Sequence, residues 1–279
     1  MKKLNWKKIL INTAWVLSLV GVLVLLGASI RQKSNKKIKG VVVEIKGAEK
    51  HMFIDEQDVL QIVNDPAPVT GRPMRGVKLR KLEELVKKNP WVNNAEMFFD
   101  NQYHLQVSIL EREPIARIFE TNGQSYYIDT AMNKMPLSTK LTARIPVFTG
   151  FPATKKIDTS LMQSVIQLST LINADSFLTA QIAQIDIVQQ HQFEMIPVIG
   201  DHLIVFGDAS DAADKLKRLK AFYQAAWLQH GMNTYKIISL EYKGQVVGVK
   251  DVIKNVIKNV PPENNIPIQI PLTSKRNTL

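Results

Sequence analysis

Hydrophobic and polar positions change rhythm several times along the chain. The first stretch is uninterrupted: Ile9 to Ile30 carries no charge, and its ordinary polar residues are Asn12, Thr13, Ser18 and Ser29. As a helix rising about 1.5 Å per residue it would span about 33 Å, close to a bilayer core of about 30 Å. Trp6 and Trp15 stand near its N-terminal side, where interfacial aromatics sit. The run exceeds the roughly 7–15 apolar residues of a cleavable signal peptide, so an uncleaved anchor is expected even though Gly27-Ala28-Ser29 offers small residues to a peptidase. Basic residues flank both ends, which leaves the positive-inside rule undecided. The N-terminal tail is too short to hold a domain. The expected arrangement is therefore a cytoplasmic tail at 1–8, a transmembrane helix at 9–30, a basic juxtamembrane linker at 31–39, and the rest outside the cytoplasm.

From residue 40 the period changes. Val41, Val43 and Ile45 alternate with polar neighbours as a strand does, and Gly47 ends it. Asp55 is placed to cap a short helix carrying Val59, Ile62 and Val63. Pro66, Pro68, Gly71 and Pro73 mark a loop. Leu79, Leu82, Leu85 and Val86 form the stripe of a second helix, which Pro90 stops. Ala95, Met97 and Phe99 alternate, Asp100-Asn101-Gln102 turns the chain, and Tyr103, Leu105, Val107 and Ile109 alternate again. The order is β-α-α-β-β over 40–112. Two helices on one face of three strands make a complete small core, with Leu85, Trp91, Leu105 and Val107 expected in it.

The stretch 113–252 reads as a mixed sheet with two helices. Strands are expected at 115–120 and 125–129 around Asn122-Gly123, with a turn over 129–136 and a strand in 144–150. A helix is expected over 159–173, and strands over 182–188, 193–198 and 203–206. Pro197 points to an edge or a bulge. A long helix follows at 209–230, striped by Leu216, Leu219, Phe222, Tyr223, Ala226 and Trp227, with Gly231 as its C-cap. Strands at 235–242 and 245–250 flank the turn Lys243-Gly244. The last segment, 253–279, is broken by Pro261, Pro262, Pro267 and Pro271 and should be extended. The fold class is α+β behind an N-terminal transmembrane helix.

Composition adds less. Of 279 residues, 45% are hydrophobic and 22% charged, as in ordinary globular chains. The net charge of +11 would suit nucleic acid. Its excess, however, sits mostly at Lys2, Lys3, Lys7 and Lys8 before the apolar run, and at Arg31, Lys33, Lys36, Lys37 and Lys39 after it. Cations hugging a span face lipid headgroups, so the bilayer is the expected partner and nucleic acid is not. There is no cysteine, which excludes disulfides, thiolate metal sites and thiol nucleophiles. The five histidines, His51, His104, His191, His202 and His230, form no ligand-spaced pair. Neither a phosphate-binding glycine loop nor a Gly-x-Ser-x-Gly elbow occurs. Asp55/Glu56 and Glu83/Glu84 read as solvated helix carboxylates. No catalytic residue, cofactor, metal or small-molecule substrate is indicated.

Several motifs in order carry a family resemblance. Asn89-Pro90-Trp91-Val92-Asn93-Asn94-Ala95 resembles the opening of the last hairpin of a POTRA domain. Leu105-Gln106-Val107-Ser108-Ile109, followed by Glu111-Arg112-Glu113-Pro114-Ile115-Ala116, resembles the exit of the POTRA domain in the bacterial FtsQ/DivIB cell-division family. Val43-Glu44-Ile45-Lys46-Gly47 fits its first strand. Arg144 to Gly150, and Gly207-Asp208 with Lys215-Leu216-Lys217-Arg218-Leu219, resemble the family's β domain. Met132 or Asn133 stands where the family often has Gly. The region around Met135 is similar to the Bacteroidota branch. Glu111 and Arg112 read as a local ion pair on a strand end, and Trp91 as a core residue.

The resemblance implies a POTRA domain at 40–112, an FtsQ-type β domain at 113–252, and a non-enzymatic scaffold at the septum. It would recruit FtsB/FtsL-like division proteins. A POTRA-bearing translocation or envelope-assembly factor is the alternative, but one POTRA match and no barrel-length series of strands speak against it. An envelope enzyme with a POTRA adaptor would need a nucleophile or metal cleft. The partner site is expected at the final strand, Gln245, Val246, Val247, Gly248, Val249 and Lys250, with Tyr242 flanking it. The proline-broken tail lacks the ladder of amides needed to cover that edge. In the family, FtsB is held there by an added strand.

Overall fold

The computed structural model describes residues 13–25, 35–47, 53–65, 67–154, 158–231 and 234–250, without the side chains of 190 and 226–230. The tail at 1–8, both ends of the apolar run and the segment 251–279 lie outside the described residues. Within the run, 13–25 are helical and exposed; Trp15 is 72% accessible. Among the described residues no helix is long and apolar enough to cross a membrane.

The first sheet is built from β1 (Gly40–Lys46), β2 (Val92–Phe99) and β3 (His104–Glu111), in the order β1-β3-β2. β1 runs parallel to β3, and β2 antiparallel to it. The helices α1 (Glu56–Asn64) and α2 (Leu79–Val86) lie between β1 and β2 in the chain. Asp55 caps α1 in a reciprocal capping box with Asp58, as its position before the apolar stripe implies. The alternation in β3 buries Leu105, Val107 and Ile109 with Val59, Val63 and Val86. Trp91 is 6% exposed and stacks on Phe53 with ring centroids 4.0 Å apart. Leu85 departs from expectation: it is only half-buried, and Val86 takes the core position. α2 ends at Val86, so its final residue takes the core position. Glu83 is not a solvated carboxylate either: it accepts the Met97 amide at 2.8 Å and so covers part of the β2 edge.

The second sheet has nine strands in the order β12-β11-β10-β9-β8-β7-β4-β5-β6. In chain order these are β4 (Ala116–Glu120), β5 (Ser125–Ile128), β6 (Lys134–Met135), β7 (Val147–Phe151), β8 (Ile182–Val188), β9 (Gln192–Pro197), β10 (Leu203–Gly207), β11 (Tyr235–Ser239) and β12 (Val247–Lys250). Three helices accompany it where two were expected: α3 (Thr159–Asn173), α4 (Ser176–Gln181) and α5 (Ala212–His230). α4 is under two turns long, too short to show a period, and is started by the Asp175 carboxylate accepting the amides of Phe177 and Leu178. Pro197 is not on an edge, because β9 is flanked by β8 and β10. It ends the strand beside a register shift at Ile182/Gln184, where its missing N–H costs no ladder bond. β10 and β11 pair in parallel across α5. Tyr223 of α5 is fully buried, and its hydroxyl lies 2.7 Å from His202 Nε2. Burial lowers the His202 pKa and raises that of Tyr223 to about 12.

The two sheets are bolted together. Tyr127, Met135 and Ala143 from the second region complete the first core, and Tyr127 meets the Trp91 ring edge-on at 5.8 Å. Glu111 and Arg112 do not pair with each other, because neighbouring strand residues point to opposite faces. Glu111 is buried and accepts the amides of Phe53 (2.5 Å) and Ile54 (3.1 Å). Arg112 reaches forward, donating to Asp129 at 2.5 Å and to the carbonyls of Pro90 and Val92. Lys140 then bridges back to Asp55 and Asp58.

Candidate partner-binding edge

Among the described residues β12 is the outermost strand of the large sheet, paired on one side only. Every second residue of an edge strand directs its N–H and C=O away from the sheet. Val247 and Val249 are 37% and 46% exposed. Val249 lies opposite Ile237, which lies opposite Leu203, so an apolar row crosses three strands on one face.

The other face of the β11–β12 hairpin rests on α5. Ile238 is buried there, and the Tyr235 ring packs edge-on against Phe222 of α5 at 5.4 Å. Gly248 is required beneath that ring: a Cβ built on it would lie 2.5 Å from Tyr235 Cδ1. Aromatic cover of a strand glycine fixes the register that Val247 and Val249 display. Lys250 Nζ sits 5.9 Å over the same ring.

The turn is held from behind by a cation. Arg218 of α5, aimed by Asp214 at 2.8 Å, donates to the carbonyl of Tyr242 at 3.1 Å, to that of Gln245, and to that of Leu240 at 3.4 Å. Its side chain is only 14% exposed, although the bonds to Asp214, Tyr242 and Gln245 lie at the surface. Gly244 adopts φ 72° and closes the turn, with the Gln245 amide donating to the Tyr242 carbonyl at 3.2 Å. One helical turn earlier, the buried Lys215 Nζ bonds the Asp208 carbonyl (2.9 Å) and its carboxylate (3.0 Å) over the Phe206 ring. The Ser210 hydroxyl and Lys215 hold the Asp208 carboxyl below the usual carboxylate range. Gly207 carries a positive φ of 77° and leaves room for this contact; a Cβ there would lie 3.0 Å from Glu241. The Gly207…Lys215…Arg218 spacing thus joins β10, α5 and the terminal hairpin.

The seven expected partner residues are not equivalent. Val247, Gly248, Val249 and Lys250 form the strand. Tyr242 and Gln245 belong to the turn that Arg218 grips, and Val246 is tucked against the large core. β11 and β12 are shorter than the alternation suggests because Leu240 turns inward, its amide donating to the Val205 carbonyl at 2.9 Å. Arg218, which the sequence offers only as part of a family motif, joins the site together with Tyr235 and Ile237. The available signal was an arginine beside the apolar stripe of a helix, and such residues are usually solvated.

A three-stranded sheet under two helices, bolted to a larger sheet whose outermost described strand is β12, defines an α+β protein with a POTRA-like first domain. Residues 36–110 match the POTRA-like domain family, and residues 113–249 match the family described as FtsQ/DivIB, C-terminal related. A curated relative, the cell division protein FtsQ of Geotalea daltonii, is 26% identical over 216 residues, covering 74% of this chain and 72% of the relative. The chain belongs to the FtsQ/DivIB family of cell-division proteins.

Proposed function

We propose that the chain is a non-enzymatic scaffold of the division machinery and that β12 receives a strand from an FtsB/FtsL-like division protein. Residues 9–30 hold it in the cytoplasmic membrane, with the N-terminus inside and the two sheets outside, at the septum. The carrying observation is the outermost position of β12, with Val247 and Val249 exposed and the hairpin braced by Arg218 and Tyr235. An added strand gains affinity from main-chain bonds and specificity from side chains at alternate positions. Here it would cover Ile237, Val247 and Val249, while Lys250 meets an acid on the partner. Recruitment by this route makes and breaks no covalent bond and calls on no cofactor or small molecule. The buried titratable groups Glu111, Asp129, His202 and Lys215 are each engaged with a backbone segment, an ion pair or a ring.

The test is a pull-down of the tagged full chain from detergent-solubilised envelopes, read by mass spectrometry. The wild type should bring down FtsB/FtsL-like proteins. Val247→Pro breaks the strand that the partner would extend, so it should lose them, and Val247→Lys combined with Val249→Lys, which keeps every amide and charges the exposed side chains, should lose them too while melting near the wild type. Equal recovery by Val247→Pro would remove β12 as the site. A C-terminal reporter active only in the cytoplasm, if active here, would overturn the topology.

A further inference from the structure

Two segments of the first domain are laced together next to the apolar run. Ile38 N donates to Arg72 O at 2.9 Å, Gly71 N to Ile38 O at 2.8 Å, and Met74 N to Lys36 O at 3.0 Å, while Lys37 bridges Pro73. Ile38 and Met74 are buried beneath the seam, so 35–39 and 71–76 form one surface. That surface exposes Lys36, Lys37, Lys39, Arg72 and Arg75, and Lys78 follows just beyond it, also exposed. No Asp or Glu occurs in 35–39 or 67–82. The ion pairs formed among the described residues engage none of these six cations. Like charges gathered this closely repel unless an anion lies over them.

Two further observations say which anion. Beside Arg72 and Lys78 opens a groove of about 490 Å³, floored by Val69, Val77 and Leu82; Lys81, Lys88 and one carboxylate, Glu84, which pairs with Arg80, also line it. Cations set over an apolar floor complement an anionic amphiphile better than a wholly polar polyanion. Lys36 also follows Ile30 by only six residues. At about 3.3–3.6 Å per extended residue it lies within about 20 Å of the end of the run.

We infer that this face of the POTRA-like domain lies against the bilayer and binds anionic lipid headgroups, a second contact that sets the height and tilt of the soluble body. The inference rests on the reading of 9–30 as a membrane anchor. Tethering makes the second contact intramolecular, so weak attraction per headgroup suffices.

The absence of cysteine allows a single reporter. Thr70→Cys is exposed on the same loop and is not one of the cations. The labelled full chain is placed in vesicles of phosphatidylcholine, with or without phosphatidylglycerol, that carry an energy acceptor on the headgroup. Transfer should rise with phosphatidylglycerol and fall back in high salt. Combining Arg72→Glu, Arg75→Glu and Lys78→Glu should lower the ratio of docked to undocked molecules at least about tenfold. Lys46→Glu, Arg144→Glu and Lys217→Glu together make the same change of net charge elsewhere and should leave the response intact. Equal transfer in both lipids, or transfer that survives the first set of reversals, overturns the inference while the anchor stands. A response to added polyglutamate but not to lipid reassigns the face to an acidic protein and overturns it too. Failure of the unlabelled chain to float with either vesicle removes the anchor reading and this inference together.

Discussion

At the scale of single residues, two positions organise the core of the POTRA-like domain. Trp91 is stacked on Phe53 and closed by Tyr127, so it stands at the junction of both regions. Trp91→Ala should lower stability by about 3–5 kcal/mol, measured by denaturant unfolding. Glu111 carries a different kind of load. Removing its carboxylate with Glu111→Ala leaves the amides of Phe53 and Ile54 unpartnered in the interior, at about 1–3 kcal/mol each. Glu111→Gln keeps an acceptor and should cost far less. Burial raises the Glu111 pKa above its ordinary 4.5, because desolvation outweighs the two amide bonds that favour the anion. A folded pKa above the unfolded one means that this contribution is complete below about 4.5 and is lost as pH rises through the folded value. The wild type should therefore lose ground against Glu111→Gln as pH rises across that window, in melting curves of the two proteins.

Elements show what the sequence could and could not convey. α3 was legible to the residue because a full apolar stripe fills it, and β8 because a short β-branched run lies between a helix end and a turn. The β-α-α-β-β order was legible because Gly47, Pro66 and Pro90 punctuate it. α4 was not, since six residues carry no period; Pro197 marks a register shift at its Ile182 pair, the bulge alternative, and not an edge. The Glu111-Arg112 pair was misread because its partners lie far away along the chain, in the turn before α1 and at Asp129. The outer strand itself was legible, but its support was not: Arg218 acts through carbonyls, which leave no mark in the sequence. Arg218→Met should free the Tyr242–Gln245 turn and lower stability by about 1–3 kcal/mol. Gly248→Ala should displace the Tyr235 ring at a similar cost. In both variants amide hydrogen exchange at 247–250 should speed up while β3 keeps its protection.

Over the whole molecule, the same chain joins two different kinds of contact. Near the N-terminus, a basic seam follows an apolar run that, read as an anchor, brings it to the bilayer. At the far end of the large sheet, the strand that is outermost among the described residues is braced from behind by α5. Between them, the Phe53-Trp91-Tyr127 cluster and the Arg112–Asp129 pair make the two sheets one body. The measurement that tests the proposed role of β12 most directly is amide hydrogen exchange on the full chain, alone and with the division proteins it co-isolates. A strand added at the edge should slow exchange across Val247–Lys250 at least about tenfold, leaving β3 unchanged. Exchange at Val247–Lys250 that is the same with and without bound partner would contradict the account.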